Sequence, residues 1–478
     1  MLNGRKVLGL VLCGVLFANQ GCVVGPDYTL PETGVSPDFA AEDEILYTAA
    51  ATEVEWWRGL QDETLNQLIE RAVARNHDLR IAQANVNAAR ALLGEVRYEQ
   101  YPIVTAGASI LREEASTVRT EGIPGGFDRT ETFYDAALDA TWELDFFGRV
   151  RRSIEALSAD YEAAAADQRD VYVTVIAEVA RTYLELRGAQ YRLQVARENA
   201  DNQRGTYDLT RSITEGGMGT DLDVVRAHAQ LESTLATIPL LETEIARTIH
   251  RLSVLVGDEP RTLKAKLSGH ESLPDLPELV RIGEPAELLR RRPDIQTAER
   301  NLAGATARIG VATADLFPRV SLTGSVGYLA TSLSGLGESD FRTSSIGPFL
   351  TWPAFDLGRV RARIRATDAV AEGALAFYAQ TVLNALEETE NALVRFARAR
   401  QRQSHLHIAA SSSARAVELA RVRYSDGIDS FLNVLDAERQ LLELQDQLAQ
   451  SETESALALV ALYKALGGGW ENVLAKND

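Results

Sequence analysis

Few side chains in this sequence are placed to do chemistry. The six histidines stand at 77, 228, 250, 270, 405 and 407, and none of these spacings puts two imidazoles on one metal; His405 and His407, two apart, diverge on a helix. "GGMGT", Gly216–Thr220, lacks the lysine and the preceding strand of a phosphate loop. Ser325 in "TGSVG" lacks the spacing of a nucleophile elbow. Carboxylates are abundant, but abundance sets no acid–base pair. The expectation is a protein that is not an enzyme and carries no metal or cofactor. One group stands apart, the thiol of Cys22. Arg5 and Lys6 precede an apolar run from Val7 to Phe17, the layout of a secretory signal peptide. Cleavage within "NQGC", after Gly21, leaves Cys22 as the first mature residue, where a bacterial lipoprotein is acylated. Asn19 departs from the usual leucine of that signal, and an ordinary signal peptide with an incidental Cys22 is the alternative.

The bulk composition narrows the class of protein. The chain has 478 residues, 45% of them hydrophobic and 24% charged, as in a folded protein. Its net charge of −19 opposes binding to nucleic acid. Beyond the leader, no segment reaches the roughly 18 apolar residues of a membrane-spanning helix. An exported protein is expected, and not an inner-membrane transporter.

The elements are written twice. "TWELDFFGRVR" (Thr141–Arg151) returns as "TWPAFDLGRVR" (Thr351–Arg361), 210 residues later and identical at six of eleven positions. Tyr207–Leu231 aligns without gaps to Val417–Leu441 at the same offset. Asp78–Ala89 aligns to Asp294–Ala305 at an offset of 216, with Tyr101-Pro102 matching Phe317-Pro318. A six-residue length difference therefore falls between Pro102 and Thr141. Such self-similarity predicts a tandem duplication.

Each copy reads as helix, strands, very long helix, turn, long helix. Arg149–Ile238 and Ala354–Asp478 contain no proline and are rich in good helix formers. Apolar residues recur at three and four, as in Ile154, Leu157, Tyr161 and Ala164. A helix from Gly148 to about Glu215 runs about 100 Å and asks for coiled-coil packing. Gly216, Gly217 and Gly219 break the first hairpin and Gly427 the second. The expected divisions are a signal peptide at 1–21, an N-terminal segment at 22–61 and a first repeat at 62–256. A connector at 257–285, a second repeat at 286–466 and a tail at 467–478 follow. Strands are expected near 103–111, 133–142, 319–328 and 344–352. Long helices are expected near 148–215, 220–256, 358–426 and 430–466.

The strands alternate. Val104, Ala106, Ala108 and Ile110 share a face, as do Tyr134, Ala136, Leu138, Ala140 and Trp142. Val320, Leu322, Val326 and Tyr328 do so in the second repeat, with Ile346, Leu350 and Trp352 on the return strand. Strands of about ten residues with this pattern suit an outer-membrane barrel, and Trp142 and Trp352 suit its interfacial girdle. A soluble half-buried sheet fits the alternation equally well. Four strands cannot close a barrel, and an open edge in lipid strands backbone groups at several kcal/mol each. Membrane-spanning strands would therefore need three copies and twelve strands. Asp135 and Asp139, on the polar face, suggest a mild cation preference.

Together, "GCVVGPDY" (Gly21–Tyr28), the duplicated "GRVR" corner and "RYSDGIDSFLNVLDAERQLL" (Arg423–Leu442) resemble the TolC-type outer membrane factors. Within them they resemble the NodT-like lipoprotein subgroup, which includes OprM-like channels. The resemblance spans Cys22 to about Trp470. It implies a mixed α and β fold: a trimeric twelve-stranded outer-membrane barrel, four strands per chain, continued by a periplasmic α-helical coiled-coil barrel. It also implies an equatorial belt built from the N-terminal segment, the connector and the C-terminus. The implied role is the exit duct of a tripartite efflux pump, partnered with a periplasmic adaptor and an inner-membrane transporter of the resistance-nodulation-division type. Cys22 would carry a covalent lipid.

The resemblance places a periplasmic gate at Leu432 and Asp436 of "FLNVLDA", with Arg226 at the position equivalent to Asp436 in the first repeat. Asn433 stands where some members carry a second gate aspartate. Tyr424 matches a latch tyrosine, and Asp429 replaces the arginine that partners it in some members. The hairpin tips would meet the adaptor: Gly216, Gly217, Met218, Gly219, Thr220 and Asp221 in one repeat, and Gly427, Ile428, Asp429, Ser430 and Phe431 in the other. Three copies of one carboxylate about a narrow axis repel unless solvated, protonated or bound to cations. Leucines beside them exclude water. Two other functions stay open: an exit channel for type I protein secretion, and a periplasmic coiled-coil scaffold.

Overall fold

The computed structural model describes residues 22–32, 34, 36, 38–40, 46–116, 130–269 and 271–471. The expected signal peptide, His270 and the tail beyond Glu471 lie outside these residues. In chain order the elements are β1 (Tyr47–Thr48), α1 (Glu63–Arg75), α2 (His77–Arg97), β2 (Ile103–Glu114) and β3 (Thr130–Leu144). Then come α3 (Arg149–Glu215), α4 (Asp221–Leu235), α5 (Ile238–Leu255), α6 (Lys264–Leu267) and β4 (Val280–Arg281). The remainder is α7 (Pro285–Arg291), α8 (Pro293–Ala314), β5 (Arg319–Ala330), β6 (Arg342–Thr351), α9 (Leu357–Ser425) and α10 (Phe431–Ala465). The chain divides into two compact units. One comprises the described residues up to Glu32 with Val86–Ala164 and Ala298–Tyr378, and the other holds the remainder.

In the first unit, four strands form an antiparallel sheet in the order β2-β3-β5-β6. Ala106 pairs with Leu138, Leu138 with Val326, and Val320 with Leu350. Residues paired across strands share a face, so the apolar alternation of all four strands falls on one side. Thr105 opposite Asp139 and Asp139 opposite Ser325 mark the other. The two hairpins keep one register under the duplication: Ile103 faces Thr141 in the first and Arg319 faces Thr351 in the second.

The two strand-to-helix corners, written alike as "GRVR", differ in structure. Gly148 has φ +82°, and a Cβ there would lie 2.9 Å from Val23 Cγ1. Gly358 is the second residue of α9, has ordinary helical geometry and faces open space. The N-terminal segment lies against the first corner, so glycine is needed there and not at the second.

The second unit holds the larger core. Trp56 stacks on Tyr463 at 5.0 Å and meets Trp57 edge-on. β1 pairs in parallel with β4, tying the N-terminal segment to the connector. Trp470 donates its indole N–H to Arg291 O at 3.2 Å and lies under the Arg169 guanidinium. N-terminal segment, connector and C-terminal turn thus share one hydrophobic core. The helix expected over about 220–256 is two helices, α4 and α5, parted at Ala236 and Thr237. Pro239 has no N–H to give the Leu235 carbonyl, and Thr237 N turns instead to Thr234 O at 3.1 Å.

Candidate functional site

Both hairpin tips close by one piece of backbone chemistry. Gly217 N bonds to Thr214 O at 2.9 Å and Met218 N to Ile213 O at 3.0 Å. Gly427 N bonds to Tyr424 O at 3.0 Å and Ile428 N to Arg423 O at 2.9 Å, each group 210 residues on. These crossed bonds need a left-handed residue after the helix, supplied by Gly217 and Gly427 with φ of 77° and 70°. Thr220 and Ser430 cap the helices that follow, Thr220 by accepting from Asp223 N. Met218 and Ile428 are exposed at the two tips.

Beyond the second tip, the first turns of α10 sort their side chains by face. Phe431 and Val434 bury with Ala227 of α4, and Tyr424 and Leu435 pack against them. Leu432 points away from this cluster and is 53% exposed. Asp436 is exposed too, and it accepts from Arg439 Nη2 at 2.8 Å, one turn along its own helix. Arg226 is exposed on α4. The ring of Tyr424 lies 5.5 Å from that of Phe431. Burial raises its phenol pKa, and the charge of Asp223 on α4 adds to the rise. Asp429 accepts from Arg423 Nε at 2.6 Å and from Asn433 Nδ2 at 3.1 Å. The Arg423 hydrogen bond holds its carboxyl below the ordinary range. Asp429 is thus tied inside its own hairpin.

Sequence reading missed the most buried charge in this region. Glu438 is 5% exposed and accepts from Arg421 Nη2 at 2.7 Å and Thr206 Oγ1 at 2.8 Å. It joins α3, α9 and α10. Its signal was present: with Phe431 and Val434 it completes the i, i+3, i+7 stripe of a buried helix face.

Cys22, Trp142 and Trp352 belong to the other unit. Trp142 donates its indole N–H to Gln100 O at 2.9 Å. Cys22 is exposed, and the residues after it are fastened. Val24 N bonds to Phe147 O at 3.3 Å, and the Arg152 guanidinium holds Val24 O at 3.2 Å and Asp27 at 2.6 Å. Gly25, at φ +93°, lies so close to Gly310 that a Cβ would overlap its Cα. The Tyr28 hydroxyl donates to Glu299 at 2.9 Å beneath Arg300. "VVGPDY" is therefore a strap laid on the start of α3 and on α8.

Among the described residues, no three His, Cys, Asp or Glu side chains are grouped to hold a metal, and no helix is long and apolar enough to cross a membrane. A groove of about 1000 Å³ is walled by opposed charges such as Arg192, Arg439, Glu443 and Asp446. Arg192 and Asp446 pair across it at 2.7 Å.

The arrangement recurs in known proteins. The family model described as "outer membrane efflux protein" matches residues 68–258 and 285–468, one stretch in each repeat. Nodulation protein T of Rhizobium leguminosarum bv. viciae is 32% identical over 452 residues, covering 94% of this chain and 91% of that protein. The toluene efflux pump outer membrane protein TtgF of Pseudomonas putida is 31% identical over 466 residues, covering 95% and 96%. The solved outer-membrane channel OprN superposes with a TM-score of 0.89 at 44% identity, over 94% of this chain and all of that one. With both repeats matched and the duplicated sheet and hairpins in place, the chain belongs to the outer membrane efflux protein family, the TolC-type outer membrane factors.

Proposed function

We propose that three copies of this chain join their four-stranded sheets into one twelve-stranded outer-membrane barrel and their long helices into a periplasmic conduit. The assembly serves as the exit duct of a tripartite efflux pump. The observation that carries this reading is the sheet itself. Its strands present one apolar face, and among the described residues β2 and β6 each pair with a strand on one side only. In lipid those edges must be paired. A periplasmic adaptor docks at the two tips, and an inner-membrane transporter of the resistance-nodulation-division type supplies the driving force. The likeness to an efflux-pump outer membrane protein favours efflux over protein secretion.

Leu432 and Asp436 form the gate. Leu432 is exposed on the face of α10 opposite the packed cluster, where three leucines about an axis would exclude water. The Asp436 carboxylates are partly offset by Arg439, which lowers their mutual repulsion at close approach. Cys22 carries the lipid. The strap pins Val24 to Phe147, three residues beyond the end of β3, so acyl chains on Cys22 start where the barrel strands end.

Protein extracted in detergent and placed in planar bilayers tests the reading. A trimer that conducts, with conductance raised by Leu432→Ala and Asp436→Ala together, is expected. A monomer without conductance would sink the duct, and a conducting double variant with unchanged conductance would sink the gate.

A further inference from the structure

The duplication makes one seam within the chain a template for the seam between copies. Inside the chain, the first repeat meets the second where β3 pairs with β5, with Trp142 opposite Leu322 and Thr141 opposite Thr323. Below that pairing, Phe147 stacks on Phe317 at 4.6 Å. Further along α3 and α8, Asp160 forms an ion pair with Arg308.

The residue offsets between repeats come from contacts as well as from sequence. The β2–β3 register maps onto β5–β6 when β2 shifts by 216 and β3 by 210. The tryptophan bonds obey the same two offsets, Trp142 to Gln100 and Trp352 to Leu316. Carrying the internal seam through those offsets sets β6 and α9 of one copy against β2 and α2 of the next. Thr351 (141 + 210) then faces Gly107 (323 − 216), and Leu350 faces Ala108. Leu357 (147 + 210) meets Tyr101 (317 − 216). Val370 (160 + 210) meets Leu92 (308 − 216).

The last pair changes chemistry. The internal seam carries Asp160 and Arg308 there, whereas Val370 and Leu92 are apolar, 63% and 53% exposed in the single chain. Two apolar side chains left in water on the two surfaces that the template brings together are what a buried contact between copies requires. We propose that a second copy of this chain docks with β6 against β2 in the register Leu350–Ala108, and that Val370 and Leu92 form an apolar contact replacing the ion pair of the internal seam. This rests on the reading that copies close one barrel and adds the residues that set its register.

The distinction has a physical use. The internal seam forms within one chain, where its partners are at high effective concentration. The seam between copies has no such advantage, and an apolar pair there gives association a driving force without the desolvation cost of two charges.

Two sets of variants, made in the full chain and extracted from membranes, test the proposal. Oxidation of Ala108→Cys with Leu350→Cys should join copies covalently into dimers and trimers on a non-reducing gel. The off-register control, Ala106→Cys with Leu350→Cys, should not. Leu92→Arg or Val370→Asp alone should lower the trimer fraction in detergent by about tenfold, a change of about 1.4 kcal/mol. The two together rebuild the Arg308–Asp160 pair and should restore trimer to within about twofold. A wild-type protein that is monomeric when extracted would overturn the shared reading of a closed barrel. A wild-type trimer in which the control pair cross-links and the proposed pair does not would overturn the register alone. A double charge variant no better assembled than the single ones would overturn the Val370–Leu92 contact.

Discussion

Trp352 donates its indole N–H to the carbonyl oxygen of Leu316 at 3.0 Å. This ties the end of the return strand β6 to the helix exit that precedes β5. The bond is the repeat of Trp142 to Gln100 at 2.9 Å. Donors differ by 210 residues and acceptors by 216, so the six extra residues of the first repeat are absorbed between β2 and β3. The corner is untouched by them. An aromatic that reads as an interfacial girdle residue is therefore also a structural clasp, its ring at the surface and its N–H spent on the backbone.

Trp142→Phe and Trp352→Phe keep an aromatic ring and remove that donor. Each should lower the stability of the purified protein by about 1 kcal/mol, seen as a modest fall in melting temperature. The two effects should match within about 0.5 kcal/mol. A loss confined to one variant would mean that the clasps are not equivalent.

The strap gives a sharper contrast between two glycines in contact. At Gly25 the backbone is left-handed and a Cβ would strike the Gly310 backbone, whereas at Gly310 it would meet the stem of the Arg152 side chain at 2.8 Å. Backbone cannot retreat and a side chain can. Gly25→Ala should cost about 1–3 kcal/mol locally and free residues 22–28, read as faster proteolysis of that segment. Gly310→Ala presses on Arg152, which itself holds Val24 and Asp27, and should free the segment less than Gly25→Ala does.

Much of this architecture was legible from residue types alone. Period-two alternation marked the four barrel strands, and glycine punctuation marked both tips, because each reports a local backbone requirement. Other features were not legible in this way. The break at Ala236–Thr237 follows from Pro239, a signal present in the sequence but passed over within a long periodic run. The left-handed Gly148 against a helical Gly358 depends on Val23, over a hundred residues away, so no local pattern could separate them. The pairing of Asp436 with Arg439 follows from their i, i+3 spacing, a signal the gate reading does not use. β1 and β4, two residues each, are too short to carry any pattern.

The Glu438 cluster predicts unequal costs for its members. Arg421 is 41% exposed and can turn to water, but Glu438 cannot. Removing the arginine strands a buried carboxylate, and Arg421→Ala should destabilise the protein by about 3–5 kcal/mol. Thr206→Ala removes one of several hydrogen bonds and should cost about 1 kcal/mol. Chemical denaturation of the purified protein would compare them. Equal losses would mean that Arg421 does not neutralise Glu438.

The Trp56–Tyr463 stack predicts a response to alkali. Burial pushes the Tyr463 phenol up to about 12 from its ordinary 10.0, and the charge of Glu53 adds to the rise. The folded-state pKa lies above the unfolded one, so the neutral phenol's contribution is whole below pH 10 and is lost as pH rises from 10 through 12. By pH 12 the loss is on the order of 2–3 kcal/mol. Tyr463→Phe keeps the ring on Trp56 and removes the ionisable group. It should therefore match wild type in stability at pH 8 and exceed it by pH 11–12. Tyr183, whose phenol is also pushed up by burial and by its bond to Asp62, is the same in both proteins and cancels from the difference. Tryptophan fluorescence across an alkaline titration would follow the core directly. Curves that coincide above pH 10 would show that Tyr463 ionises without unfolding the core, and would contradict the stacking contact as a source of alkaline sensitivity.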